Sequence, residues 1–141
     1  DLSLLLIDLD DFKKINDNYG HLTGDAVLRS LALNLENNIR RAESVYRYGG
    51  EEFIILLQAG SDREATEAAE RIRRVIAASE AVEGDHRVKI TFSSGLTRVN
   101  RGEALREVME RADVALYKGK QSGRNCTILI NKNLDCINVS H

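Results

Sequence analysis

Apolar side chains run without interruption through Ser3-Leu4-Leu5-Leu6-Ile7-Asp8-Leu9 and give way to acids, a pattern that predicts a central strand covered on both faces. Between 24 and 41 the apolar positions Leu28, Leu31, Leu35 and Ile39 recur every three or four residues, the stripe of a helix lying on a sheet. Val45-Tyr46-Arg47-Tyr48 and Glu51-Glu52-Phe53-Ile54-Ile55-Leu56-Leu57 are β-rich runs joined by Gly49-Gly50, which predicts a hairpin closed by a tight primed turn. Ser61 and Glu64 have capping-box spacing and open a helix that buries Ala65, Ala69, Ile72 and Ile76. Val88, Ile90, Phe92, Ser94 and Leu96 alternate with their neighbours, so one strand is expected over 87–98. A further helix carries Leu105, Val108, Met109, Ala112, Ala115 and Leu116 and stops near Gly119; residues 126–130 form a last strand, and the polar tail 131–141 has no readable pattern.

The predicted order is β-α-β-β-α-β followed by an extra α-β, one α+β domain over 1–130 plus the tail 131–141. In a ferredoxin-like split β-α-β arrangement the first strand lies antiparallel to the second strand of the hairpin. That adjacency brings Asp8, at the end of one strand, beside Glu51 at the start of its neighbour.

Composition narrows the function. The 141 residues are 43% hydrophobic, enough for one core, and 20 Lys+Arg against 22 Asp+Glu leave no large positive field, so binding to a nucleic-acid polymer or to anionic lipid is not expected. No apolar run approaches the roughly 20 residues that span a bilayer. Cys126 and Cys136, with no histidine near them, read as reduced structural thiols. Met109 is the only methionine and Asp1 directly precedes a strand, so a segment of a longer protein is expected.

Asp8, Asp10, Asp11, Glu51 and Glu52 gather at one sheet edge in this topology. Such a group suits Mg²⁺, a hard octahedral ion that takes one or two carboxylates and completes its shell with phosphates and water. Behind the acids, Lys13, Lys14 and the first amides of a helix suit phosphate oxygens. Asn16 and Asp25 suit guanine: a carboxylate accepts from its ring N–H and exocyclic amine, and an amide donates to O6. Phe53 and Tyr48 read as packing residues.

Three spaced motifs carry a resemblance. Ile7-Asp8-Leu9-Asp10-x-Phe12-Lys13-x-Ile15-Asn16-Asp17-x-x-Gly20-His21-x-x-Gly24-Asp25, then Arg47-Tyr48-Gly49-Gly50-Glu51-Glu52-Phe53, then Ala112-Asp113-x-Ala115-Leu116-Tyr117-x-x-Lys120-x-x-Gly123-Arg124-Asn125 closely resemble the GGDEF domain of bacterial diguanylate cyclases over about 3–130. The resemblance implies a nucleotide-cyclase palm that condenses two GTP into cyclic di-GMP and two pyrophosphates, with Mg²⁺ or Mn²⁺, as a face-to-face domain pair in the cytoplasm, governed by an attached sensory or receiver domain. By position it implies metal ligation by Asp8, the Leu9 carbonyl and Glu51, and activation of the attacking 3′-hydroxyl by Glu51 or Glu52. It also implies guanine contacts from Asn16 and Asp25, and a triphosphate grip by the amides of Asp11, Phe12 and Lys13 with the side chains of Lys120 and Arg124. Lys13 would in addition stabilise charge at the α-phosphate, and His21 lies on the substrate side.

Two features depart from the family pattern. The Arg-x-x-Asp product-inhibition motif reads Arg40-Arg41-Ala42-Glu43, with Arg71 as its helper, so feedback is expected to be weak. The usual N-terminal helix and Asp-x-Leu-Thr turn are not in the sequence. A catalytically silent module that binds GTP or cyclic di-GMP is disfavoured by intact Glu51-Glu52, and a polymerase-type palm by the lack of a basic groove.

Overall fold

The computed structural model describes residues 1–140, so of the tail only His141 lies outside. The elements are β1 (Leu2–Leu9), α1 (Phe12–Tyr19), α2 (His21–Asn37), β2 (Ser44–Arg47), β3 (Glu52–Gln58), α3 (Asp62–Ala78), β4 (Glu80–Glu83), β5 (His86–Lys89), β6 (Phe92–Val99), α4 (Leu105–Gln121), β7 (Thr127–Ile130) and β8 (Cys136–Asn138). Six strands form one sheet in the order β2-β3-β1-β6-β7-β8, and β4 and β5 make a separate hairpin. The first four of that sheet are the expected ferredoxin-like core. β1 is antiparallel to both β3 and β6, and β6 runs parallel to β7 through α4.

β1 is central because both of its faces are apolar. Leu5, Ile7 and Leu9 join Phe53, Ile55 and Leu57 and the buried faces of α2 and α3 in the main core, while Leu4 and Leu6 meet Val108, Met109, Ala112 and Leu116 of α4 on the other side. Asp8 shares the parity of Leu4 and Leu6 and pairs with Glu52, so both acids end their strands on the α4 side. The close approach of α4 depends on Gly95 in β6, where a β-carbon would sit 2.1 Å from the Ala112 carbonyl oxygen. Glu103 and Arg111 pair across the start of this helix, and Arg111 also donates to Thr97 and to the Arg98 carbonyl.

Several elements differ from the sequence expectation. Helix α1 had no predicted range, because its only buried residue, Ile15, is too little apolar surface to leave a stripe. Gly20, at φ 89°, separates α1 from α2, so α2 starts at His21. It ends at Asn37, where Asn38 donates through Nδ2 to the Asn34 carbonyl and through its N–H to Leu35. Gly49 and Gly50 do not adopt positive φ, so the hairpin is closed by a wider 48–51 connection that Arg47 staples by donating to the carbonyls of Gly49 and Gly50. The single strand expected over 87–98 is split into β5, which pairs with β4 around Gly84 at φ 58°, and β6. Part of the tail is ordered as β8 against β7. Phe53 is buried as expected, whereas Tyr48 is exposed. Both cysteines are free thiols.

Candidate active site

The ends of β1 and β3, the turn into α1 and the last turns of α4 converge at one edge of the sheet. Lys120 organises it. Its ammonium donates to the carbonyls of Asp8 (3.2 Å) and Leu9 (3.0 Å) and to Asp10 Oδ1 (2.9 Å), and lies 3.1 Å from Asp8 Oδ1. Lysine near a helix end can simply cap carbonyls of its own helix. Lys120 instead spans to another strand, so its charge belongs to the acid cluster.

Asp10 is buried and has four donors around its carboxylate: Thr91 Oγ1 and Ser93 Oγ (2.6 Å each), Lys120 Nζ and the Asn125 N–H (2.9 Å each). Burial pushes its pKa up, but these hydrogen bonds outweigh burial and leave it below the usual carboxylate value. It is a structural anion that fixes Lys120 and the 123–125 turn rather than a free ligand, which separates it from the other acids of the predicted cluster.

Glu51 and Glu52 behave oppositely. Burial and then the Asp8 charge raise both pKa values, with Lys120 offsetting only part of the effect and Asp113 adding to the repulsion at Glu52. The Glu51 carbonyl also accepts from the Leu9 N–H at 3.3 Å, which locks the glutamate loop to the end of β1. Gly50 faces open space, and at Gly49 a β-carbon would come within 3.0 Å of the Glu52 carboxylate.

Facing these oxygens is an anion cradle. Asp11 has the left-handed conformation (φ 56°, ψ 34°) and Phe12 begins α1, so successive N–H groups curve around one point and the first helical amides have no acceptor within the helix. Lys13 is exposed on the first turn and has no ion-pair partner among the described residues. Arg124 reaches across to Asp11 at 3.7 Å. Asn16 lies against α2, where Gly24 leaves room for its side-chain oxygen. Asp25 is exposed and lines a cleft of about 270 Å³ with Arg29, Arg47 and Phe53. His21 is exposed at the start of α2.

The donor set suits a hard cation. Asp8 and the Leu9 carbonyl already gather around a positive charge, that of Lys120, and the raised Glu51 lacks one of its own. Among the described residues no three carboxylate, imidazole or thiol groups come together in a coordinating arrangement, so a divalent ion here would need the main-chain carbonyl and outside ligands such as phosphates.

The residues of the predicted inhibition site lie in the α2–β2 loop and on α3. Glu43 is buried, and its carboxylate accepts from the N–H groups of Arg40 (2.8 Å) and Gln58 (2.9 Å), tying the α2–β2 loop to the end of β3. Arg71 donates to the Asn38 carbonyl at 2.9 Å, and the Arg40 side chain is exposed. Sequence reasoning missed Thr91 and Ser93, which carry no motif signal. Asn125 sits in the third sequence motif, where the adjacent Gly123-Arg124 pair marks a turn.

The architecture is a ferredoxin-like palm that sets carboxylates beside the free amides at the start of α1. The chain belongs to the GGDEF domain family of diguanylate cyclases, whose family description, "Diguanylate cyclase, GGDEF domain", matches residues 1–126. It is 46% identical to the diguanylate cyclase DgcZ of Escherichia coli over 131 residues, 93% of this chain and 44% of that protein. Among solved structures, the GGDEF domain of DgcB from Caulobacter crescentus in complex with c-di-GMP superposes with a TM-score of 0.83 at 34% identity, covering 91% of this chain and 77% of that one. The active GGEEF domain of a diguanylate cyclase from Vibrio cholerae gives 0.79 at 37%, covering 91% and 81%. The chain spans less than half the length of curated relatives such as DgcZ.

Proposed function

We propose that this domain is a working diguanylate cyclase that joins two GTP molecules into cyclic di-GMP. The observation that carries the reading is the juxtaposition, at one sheet edge, of Glu51 and Glu52 with raised pKa values, Asp8 with the Leu9 carbonyl, and the amide cradle at Asp11–Phe12 flanked by Lys120 and Arg124. The complete Gly-Gly-Glu-Glu-Phe run and the active Vibrio cholerae GGEEF relative support catalysis over silent binding.

In this reading the triphosphate lies along the amides of Asp11, Phe12 and Lys13, with Lys120 and Arg124 on its outer oxygens. Asn16 and Asp25 read guanine, and His21 borders the substrate. Asp8, the Leu9 carbonyl and Glu51 would hold Mg²⁺ or Mn²⁺, which supplies a Lewis acid for the α-phosphate and lowers the pKa of a bound hydroxyl. Glu51 or Glu52, poised by a raised pKa, takes the proton of the ribose 3′-hydroxyl. That oxygen forms a bond to the α-phosphorus of the other nucleotide, the bond to the β-phosphate oxygen breaks, and pyrophosphate leaves. Lys13 meets the charge that builds on the α-phosphate. The same step in the opposite direction closes the ring, so two domains must face each other across a two-fold axis, each holding one GTP. In the full-length protein a sensory or receiver domain would raise the effective concentration of the pair, within the cytoplasm where GTP is available.

Incubation of concentrated protein with GTP and Mg²⁺, followed by chromatography, should yield cyclic di-GMP that rises more steeply than linearly with protein and is absent with Glu51→Ala. Retained GTP binding without product at any concentration would replace this reading with that of a binding module.

A further inference from the structure

Gly123, Arg124 and Asn125 all have positive φ, at 104°, 64° and 45°. Two successive non-glycine residues in the left-handed region persist only where the surroundings over-determine them. Here the Asn125 N–H donates to Asp10, the Arg124 N–H donates to the Gly119 carbonyl at 3.1 Å, and Arg73 Nη1 donates to Asn125 Oδ1 at 2.9 Å and to its carbonyl at 3.4 Å.

Arg73 comes from α3, which contributes none of the acid, phosphate or base residues described above. It is buried, and Glu70, one turn away, grips it through two hydrogen bonds of 2.7 and 2.9 Å. Glu70 also accepts from Ser140 Oγ at 2.8 Å, and that hydroxyl in turn accepts from the Thr127 N–H at 2.8 Å. Ser140 lies beyond the 1–126 segment matched to the family. Burial raises the Glu70 pKa, but the bonds from Arg73 and Ser140 lower it further, which keeps the pair ionised. A buried ion pair loses much of its attraction to desolvation, so net stabilisation alone is a weak account of its presence.

We propose that the Glu70–Arg73 pair is a positioning device for the phosphate grip: through Asn125 it holds the left-handed turn that aims Arg124 and, through Asp10, the ammonium of Lys120, with Ser140 as a latch from the C-terminal segment. The inference rests on the reading of this edge as a nucleotide site. It assigns α3 and the tail a part in binding phosphate, and none in binding the base, because Asn16 and Asp25 are carried by α1 and α2.

Titration calorimetry with a non-hydrolysable GTP analogue and with GMP, both with Mg²⁺, separates the possibilities. The double variant Glu70→Gln/Arg73→Met leaves no buried charge unpaired and should weaken the triphosphate about tenfold, the worth of one or two charged hydrogen bonds, while GMP affinity stays within about twofold. Equal losses for both nucleotides, or no loss for the triphosphate, would overturn the proposal. Should the double variant fail to fold, Asn125→Ala, which removes the shorter, side-chain half of the link and leaves the pair intact, faces the same two outcomes. Wild-type protein that binds neither nucleotide would bring down the nucleotide reading, and this inference with it, a result distinct from a wild type that binds and a variant that does not differ.

Discussion

Asn16 Oδ1 occupies the place where a β-carbon of Gly24 would be, 1.9 Å from that position. The first turn of α2 therefore fixes the rotamer of an α1 side chain proposed to read guanine. Gly24→Ala gains helix propensity of up to about 1 kcal/mol yet must turn Asn16 away. We expect a thermal midpoint that stays near wild type while KM for GTP rises about tenfold; a KM unchanged by this substitution would remove Asn16 from base recognition.

Asp25 has the acid that a guanine ring N–H and amine require. Asp25→Ser removes a charge from an exposed position of the α2 cleft, so the fold should be unaffected and ATP should become a substrate. Complete rejection of ATP by this variant, in the same chromatographic assay, would show that Asp25 does not select the base.

The pKa values of Glu51 and Glu52 are raised, so the folded state holds these protons more tightly than the unfolded chain does. Their ionisation therefore costs stability as pH climbs through the carboxylate range, and a bound divalent cation relieves the cost. Mg²⁺ should raise the melting temperature by a few degrees at pH 7.5 and by progressively less as pH falls toward 4.5. Glu51→Gln should raise the metal-free midpoint and shrink the Mg²⁺ increment; an increment that survives intact would place the ion elsewhere.

At the far end of α4, the hydrogen bond from Arg111 holds the Glu103 carboxyl down at about 2, against an ordinary value of 4.5. A depressed carboxylate stabilises the fold at pH values above its unfolded pKa, and that contribution disappears as pH falls from near 4.5 toward 2. Its size, with solvent screening, is about 1 kcal/mol at neutral pH. Denaturant titrations should find Glu103→Gln less stable by about that much at pH 7, with the two curves converging as the pH is lowered to 2; a pH-independent gap would assign the loss to packing.

Glu43 spends both carboxylate oxygens on backbone N–H groups, and Arg71 is engaged by Asn38. The Arg40 side chain is exposed. Cyclic di-GMP should consequently inhibit feebly, and Arg40→Ala should change inhibition little. Tight, stoichiometric product binding in a calorimeter, lost with Arg40→Ala, would show that the glutamate can leave its backbone partners.

Long-range pattern in the chain was sufficient for the architecture. The unbroken apolar run of β1 and the apolar stripes on α2 and α3 each reflect burial against a large surface, and burial of that kind leaves its period in the sequence. The family, the acid edge and the residues proposed to contact phosphate and base were legible for a similar reason, since they sit in contiguous motifs. Elements that bury little, namely α1, β4 and β8, had no period to show, and the glycine pair at 49–50 signalled a tight primed turn that the backbone does not form. Only the tertiary structure could decide that Lys120 closes on Asp8 and Asp10, that Asp10 is saturated by Thr91, Ser93 and Asn125, and that Glu43 is spent on main-chain amides. Those are hydrogen bonds between residues far apart in the chain, whose partners are set by strand register and helix placement rather than by any local preference of the residues that make them.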